Sequence, residues 1–66
     1  MDKINPTHYK GTIECIDAIE STMSKEAFRG YLKGNVLKYM WRYEKKNGVE
    51  DLQKAEWYLK RLIESL

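Results

Sequence analysis

The stretch Ala27–Asn47, AFRGYLKGNVLKYMWRYEKKN, decides the fold of this chain. Phe28, Leu32, Val36, Tyr39, Met40 and Tyr43 recur at intervals that put them on one side of a helix. Asn35, Lys38, Arg42 and Lys45 form a second, polar row. Gly30, Gly34, Leu37 and Trp41 form a third face. A helix of a lone small domain needs one buried face, so three faces predict a task beyond folding. Ser24 is a good N-cap, and Glu26 suits the positive end of the helix dipole. Lys45 and Lys46 suit its C-terminal end, and Asn47-Gly48 supplies a left-handed stop, so the helix is expected over 25–46. A glycine inside a helix costs about 1 kcal/mol relative to alanine. Gly30 and Gly34, four apart, therefore predict the close approach of another element; a kink near Gly30 is the alternative.

On the N-terminal side, a helix is expected over 12–22, capped by Thr12 and buried along Ile13, Ile16, Ile19 and Met23. Met1–Gly11 is an irregular lead-in, with a turn at Asn5-Pro6. On the C-terminal side a helix is expected over 49–66. Val49, Leu52, Ala55, Leu59, Leu62, Ile63 and Leu66 form its stripe, and Trp57 points nearly opposite. No segment alternates with period two, so no strand is expected. The reading is an all-α, small three-helix domain over 1–66 with a long central helix.

The chain has 66 residues, one cysteine and one histidine. Domains this small bury too little surface to be stable without a staple. Cys15 has no intrachain partner, and one Cys with one His does not make a four-ligand zinc site. The remaining staple is assembly, so the chain is expected to be a homo-oligomer. Gly30, Gly34, Leu37 and Trp41 are the expected interface, joined by Trp57, because exposed tryptophans are a solubility liability. The alternative is that the central helix is covered on both sides within one chain.

A net charge of +2 is too mild to indicate DNA binding. No apolar run is long enough for a membrane span, and no signal-peptide pattern is present, which points to the cytoplasm. No GxxxxGK[ST] loop or GxGxxG appears; Gly30–Asn35 resembles a glycine-rich loop only superficially. No Ser-His-Asp or Cys-His constellation can be placed.

The polar row has chemistry of its own. An Arg fork and Lys charges pair with phosphate or carboxylate, and an Asn amide both donates and accepts. Tyr31 starts the same row and is able to stack on a base. His8 and Tyr9, followed by Gly11, are candidates to fold back onto a ligand there. The ligand-binding set is thus His8, Tyr9, Tyr31, Asn35, Lys38, Arg42 and Lys45. The opposing reading is a solvated face paired with Glu14, Asp17 or Asp51. Glu14 and Asp17 are suited to hold a metal with a phosphate, or to be ion-paired. Cys15 reads as a small buried or half-buried apolar residue.

Three runs carry a family resemblance. His8-Tyr9-Lys10-Gly11 with Ile13–Glu20 is the first. Phe28–Asn35 with Lys38–Tyr43 is the second. The third is Lys45, Gly48, Asp51-Leu52, Lys54-Ala55 and Trp57-Tyr58-Leu59. Together they resemble the SaV-like group of short bacteriophage proteins, a domain of unknown function often described as phage nucleotide kinase. The resemblance covers nearly the whole chain. It implies a phage protein, acting in the host cell, that binds a nucleotide or another phosphorylated small molecule. Its motif residues fall on His8, Tyr9, Gly11, Glu14, Asn35, Lys38, Arg42 and Lys45. Some longer members are described as nucleoside monophosphate kinases, and such a reaction implies magnesium. This chain resembles only the bare domain, so catalytic residues are not assigned. Non-enzymatic sequestering of a host nucleotide signal, and a host-protein interaction module, are the competing functions.

Overall fold

The computed structural model describes residues 14–66, and all of its regular structure is helical. Helix α1 spans Cys15–Ser21, α2 spans Lys25–Arg42 and α3 spans Val49–Glu64, with a 3₁₀ turn at Tyr43–Lys45 between the last two. Thr12, the expected cap of the first helix, lies outside the described residues. The described α1 instead starts behind Glu14, in extended conformation and without a side-chain cap bond.

Helix α2 begins as its sequence implies: the Ser24 hydroxyl accepts the Ala27 N–H at 3.1 Å. Ser24→Ala should cost about 1 kcal/mol of stability. A urea midpoint equal to that of the unchanged chain would remove the cap from the account.

The α-helical run ends at Arg42, earlier than the expected 46, for a local reason. The Asn47 N–H is taken by the Asp51 carboxylate at 3.2 Å, and the Tyr43 carbonyl accepts from Gly48 at 2.9 Å. Gly48 has φ 56° and ψ −122°, a region that side chains strongly disfavour. The expected stop at Asn47-Gly48 is therefore built on the glycine.

Helices α2 and α3 form an antiparallel hairpin. Near the turn, Arg42 meets Asp51; at the far end, Arg29 donates to the Ser65 carbonyl and hydroxyl. The core between them is Phe28, Leu32 and Tyr58, joined by Ile16 from α1. Leu32 and Asp51 are fully buried. Helix α1 is fastened by Arg61, whose guanidinium reaches both Asp17 and Glu20 and also lies over the Phe28 ring at 5.9 Å. Asp17 above all, then Glu20 against an opposing effect of burial larger than the Glu20 bond alone, leaves this guanidinium more firmly protonated than usual.

Three packing expectations are corrected. The most buried residues of α3 are Asp51, Ala55 and Tyr58; of the expected stripe Ala55 is buried and Leu62 packs against the core, whereas Val49, Leu59, Ile63 and Leu66 are exposed. The reason is that α2 presents Arg42 and tyrosine rings, which match a carboxylate and a phenol better than a row of leucines. Met40, expected in the core, is 48% exposed. Cys15, expected buried or half-buried, is exposed. The resulting body measures 33 × 30 × 16 Å with a radius of gyration of 12.6 Å. A compact chain of this length would have a radius near 10–11 Å. The hairpin is a flat layer with much of its apolar surface uncovered.

Candidate functional site

The hairpin core carries an aromatic ladder. Phe28 stacks on Tyr31 at 6.0 Å, Tyr31 meets Tyr58 edge-on at 6.4 Å, and Tyr58 stacks on Tyr39 at 5.9 Å. Trp57 closes on Tyr58 edge-on at 5.0 Å. Burial, with the neighbouring Tyr31 and Tyr39, pushes the Tyr58 phenol up to about 12. The phenol is protonated at ordinary pH, as an unshifted tyrosine would also be.

Three cations converge at the end of this ladder. Lys38 Nζ lies 4.7 Å from the Tyr39 ring centroid, the Arg42 guanidinium 4.9 Å and Lys54 Nζ 5.5 Å. A ring quadrupole attracts one such cation by about 0.5–1 kcal/mol at an exposed site, which does little to offset repulsion among three. Two acids attend them. Arg42 donates to both oxygens of Asp51, at 3.3 and 3.4 Å, and Lys54 pairs with Glu50 at 3.9 Å. Lys38 has no acidic partner among the described residues. The cluster of Lys38, Arg42, Lys54, Glu50 and Asp51 so keeps one positive charge in excess. Such an arrangement suits a phosphate or carboxylate, with the Tyr39 ring as an apolar floor.

Asp51 anchors this cluster from inside. Burial raises its carboxyl, but the Asn47 backbone N–H, the Arg42 and Asn47 side chains and the Arg42 charge together outweigh that effect. They hold it below the ordinary carboxylate range. The pairing of the polar row with Asp51, raised as the alternative reading, thus applies to Arg42. Its fork is engaged, and its outer edge remains partly exposed.

The other sequence candidates separate. Asn35 is half-buried and donates to the Tyr31 carbonyl at 3.0 Å. Tyr31 sits inside the ladder rather than projecting as a free stacking platform. Lys45 is exposed in the 3₁₀ turn, where the helical spacing of the row has already changed. His8 and Tyr9 lie outside the described residues. Asp17 is tied to Arg61, and no group of three potential metal-ligating side chains occurs among the described residues. Lys54 was missed because it comes from α3; its signal was only that Glu50 and Lys54 share a helix face. The sequence pattern places Tyr39 with the core alone.

Of the expected interface set, Gly30, Gly34, Leu37 and Trp41 are exposed, and Trp41 is 92% exposed. Among the described residues, and apart from the helix's own backbone, nothing lies within 4 Å of where a Cβ on Gly30 or Gly34 would sit, so neither glycine serves a close approach by another described element. Trp57 differs: it is half-buried against the core cluster.

A family model described as protein of unknown function (DUF3310) matches residues 3–60. The chain is 43% identical over 63 residues to the gene 1.7 protein of Enterobacteria phage T3, covering 86% of this chain and 39% of that protein. It is 43% identical over 65 residues to the nucleotide kinase gp1.7 of Escherichia phage T7, covering 89% of this chain and 33% of that protein. The chain thus spans little more than a third of these relatives. No solved structure matches it.

Proposed function

Because this chain belongs to the DUF3310 family, with relatives in two phages, we propose that it binds a nucleotide or another phosphate-bearing small molecule in the cytoplasm of a phage-infected cell. In this reading it works as a homo-oligomer. The observation that carries the proposal is the meeting of Lys38, Arg42 and Lys54 around one tyrosine ring. Lys38 and Lys54 supply mobile charge to the phosphate. Arg42, held by Asp51, presents a fixed edge. Lys45 adds charge at the rim. His8 and Tyr9 complete the proposed ligand set. Asn35 and Tyr31 shape the wall behind it.

The name of the T7 relative extends the proposal to a kinase-like step, with magnesium neutralising the transferred phosphate. Such a step needs two adjoining phosphate sites, and the described residues gather one cation cluster around Tyr39. An assembly would have to bring the second. Simple sequestration needs only the one. A host-protein contact is a separate reading, favoured by the 92% exposure of Trp41.

Calorimetric titration with deoxynucleoside mono-, di- and triphosphates, and with inorganic phosphate as control, tests binding. Saturable binding that weakens with salt is expected. No heat from any of these ligands overturns the proposal. Adding ATP and magnesium to the same samples separates the two versions: a phosphorylated product supports the kinase, and unchanged ligand supports sequestration.

A further inference from the structure

One row of α2 remains unused by the core and by the cation cluster. Lys33, Leu37 and Met40 follow one another at intervals of four and three, which keeps them on one side of α2, and Glu44 follows in the 3₁₀ turn just past its end. Lys33 and Glu44 are exposed, Leu37 is 57% exposed and Met40 48%. Neither Lys33 nor Glu44 has an ion-pair partner among the described residues. The order is symmetric in sequence about its midpoint: an apolar pair in the centre, and opposite charges four residues outside it on either side. A second copy of the same row, turned end for end, therefore places Lys33 against Glu44 and Leu37 against Met40, twice over. That is the pattern an isologous two-fold contact requires.

We infer that two copies of this chain pair α2 against α2 in antiparallel fashion, on an axis between Leu37 and Met40. This rests on the homo-oligomer reading above and names its surface. Lys33 faces the partner subunit's Glu44. Leu59 and Ile63 of α3 lie beside the contact. They sit on the side of α3 opposite Arg61, which is occupied by α1, and they are 44% and 62% exposed. A stable contact buries about 800 Å² on each partner, more than one helix row provides, so both helices of the flat hairpin take part. The self-complementary charge order is what selects a second copy as the occupant over an unrelated apolar segment. Lys38 and Arg42 lie roughly a third of a turn away on α2, so the cation cluster stays open to solvent in the pair.

Sedimentation equilibrium of the full chain tests this with Lys33→Glu, Glu44→Lys and the two together. The unchanged chain should associate. Each single reversal sets like charges against each other at both ends and should weaken association about tenfold or more. The double variant restores opposite charges and should recover the original affinity. Met40→Gln, which leaves the charges alone, should also weaken it. Circular dichroism should show the same helix content throughout, because all three side chains are exposed. A chain that stays monomeric at every concentration overturns both this contact and the oligomer reading. An assembly indifferent to all four variants overturns this contact and leaves the oligomer reading standing.

Discussion

Asp51→Ala lowers the melting temperature by more than about 10 °C, the largest stability effect expected of any polar side chain among the described residues. The carboxylate has no exposed surface and accepts four donors, two from Arg42 and two from Asn47. Removing it leaves the Arg42 fork and the Asn47 N–H without their acceptor, at the point where α2 must stop and α3 begin. Asp51→Asn keeps the shape but loses the charge and part of the bonding, so it should fall between the two. The pH dependence has a definite sign. The folded carboxyl titrates below its unfolded value, so its stabilisation is present above the unfolded value and is lost as pH falls through the folded one. The gap in melting temperature between the unchanged chain and Asp51→Asn should therefore narrow in acid. A gap that stays constant from neutral pH into strong acid would show that the charge of Asp51 contributes nothing.

Lys38→Glu combined with Lys54→Gln abolishes most of the proposed phosphate binding, with an expected loss of about a hundredfold in affinity. Lys38 is exposed and unpaired with any acid among the described residues, so reversing it changes the site with little effect on the fold. Lys54 has a side chain only 17% exposed, and glutamine keeps its length without placing a second acid beside Glu50. Arg42→Ala is a poorer test because it also strips Asp51 of its partner. The double variant should melt within a few degrees of the unchanged chain. Unaltered nucleotide affinity in a folded double variant would remove this cluster from the binding site.

Much of the hairpin was legible in the sequence because it depends on local signals. Ser24, the 3.6-residue spacing of Phe28 and Leu32, and Asn47-Gly48 each act within a turn or two of themselves. The rotation of α3 was not legible. Its aliphatic stripe is the stronger hydrophobic signal, yet Asp51 and Tyr58 face inward because Arg42 and Tyr39 wait on the other helix. A pattern read along one helix does not contain that information. The same limit applied to the site. The row Asn35, Lys38, Arg42 and Lys45 was visible, but its division was set by tertiary partners: Arg42 drawn to Asp51, Asn35 turned back to Tyr31, and Lys54 added from across the hairpin.

The slender fastening of α1 has a dynamic consequence. A seven-residue helix is far too short to persist alone. It is held by Ile16 in the core, by Ile19 packed against it, and by one arginine gripping two acids. Amide protons of Ala18 to Ser21 should therefore exchange with solvent through a sub-global opening that leaves those of Leu32 and Tyr58 protected. The domain would then consist of two cooperative units: a slow hairpin, and a small flap that lifts from the aromatic ladder many times before the rest of the molecule unfolds.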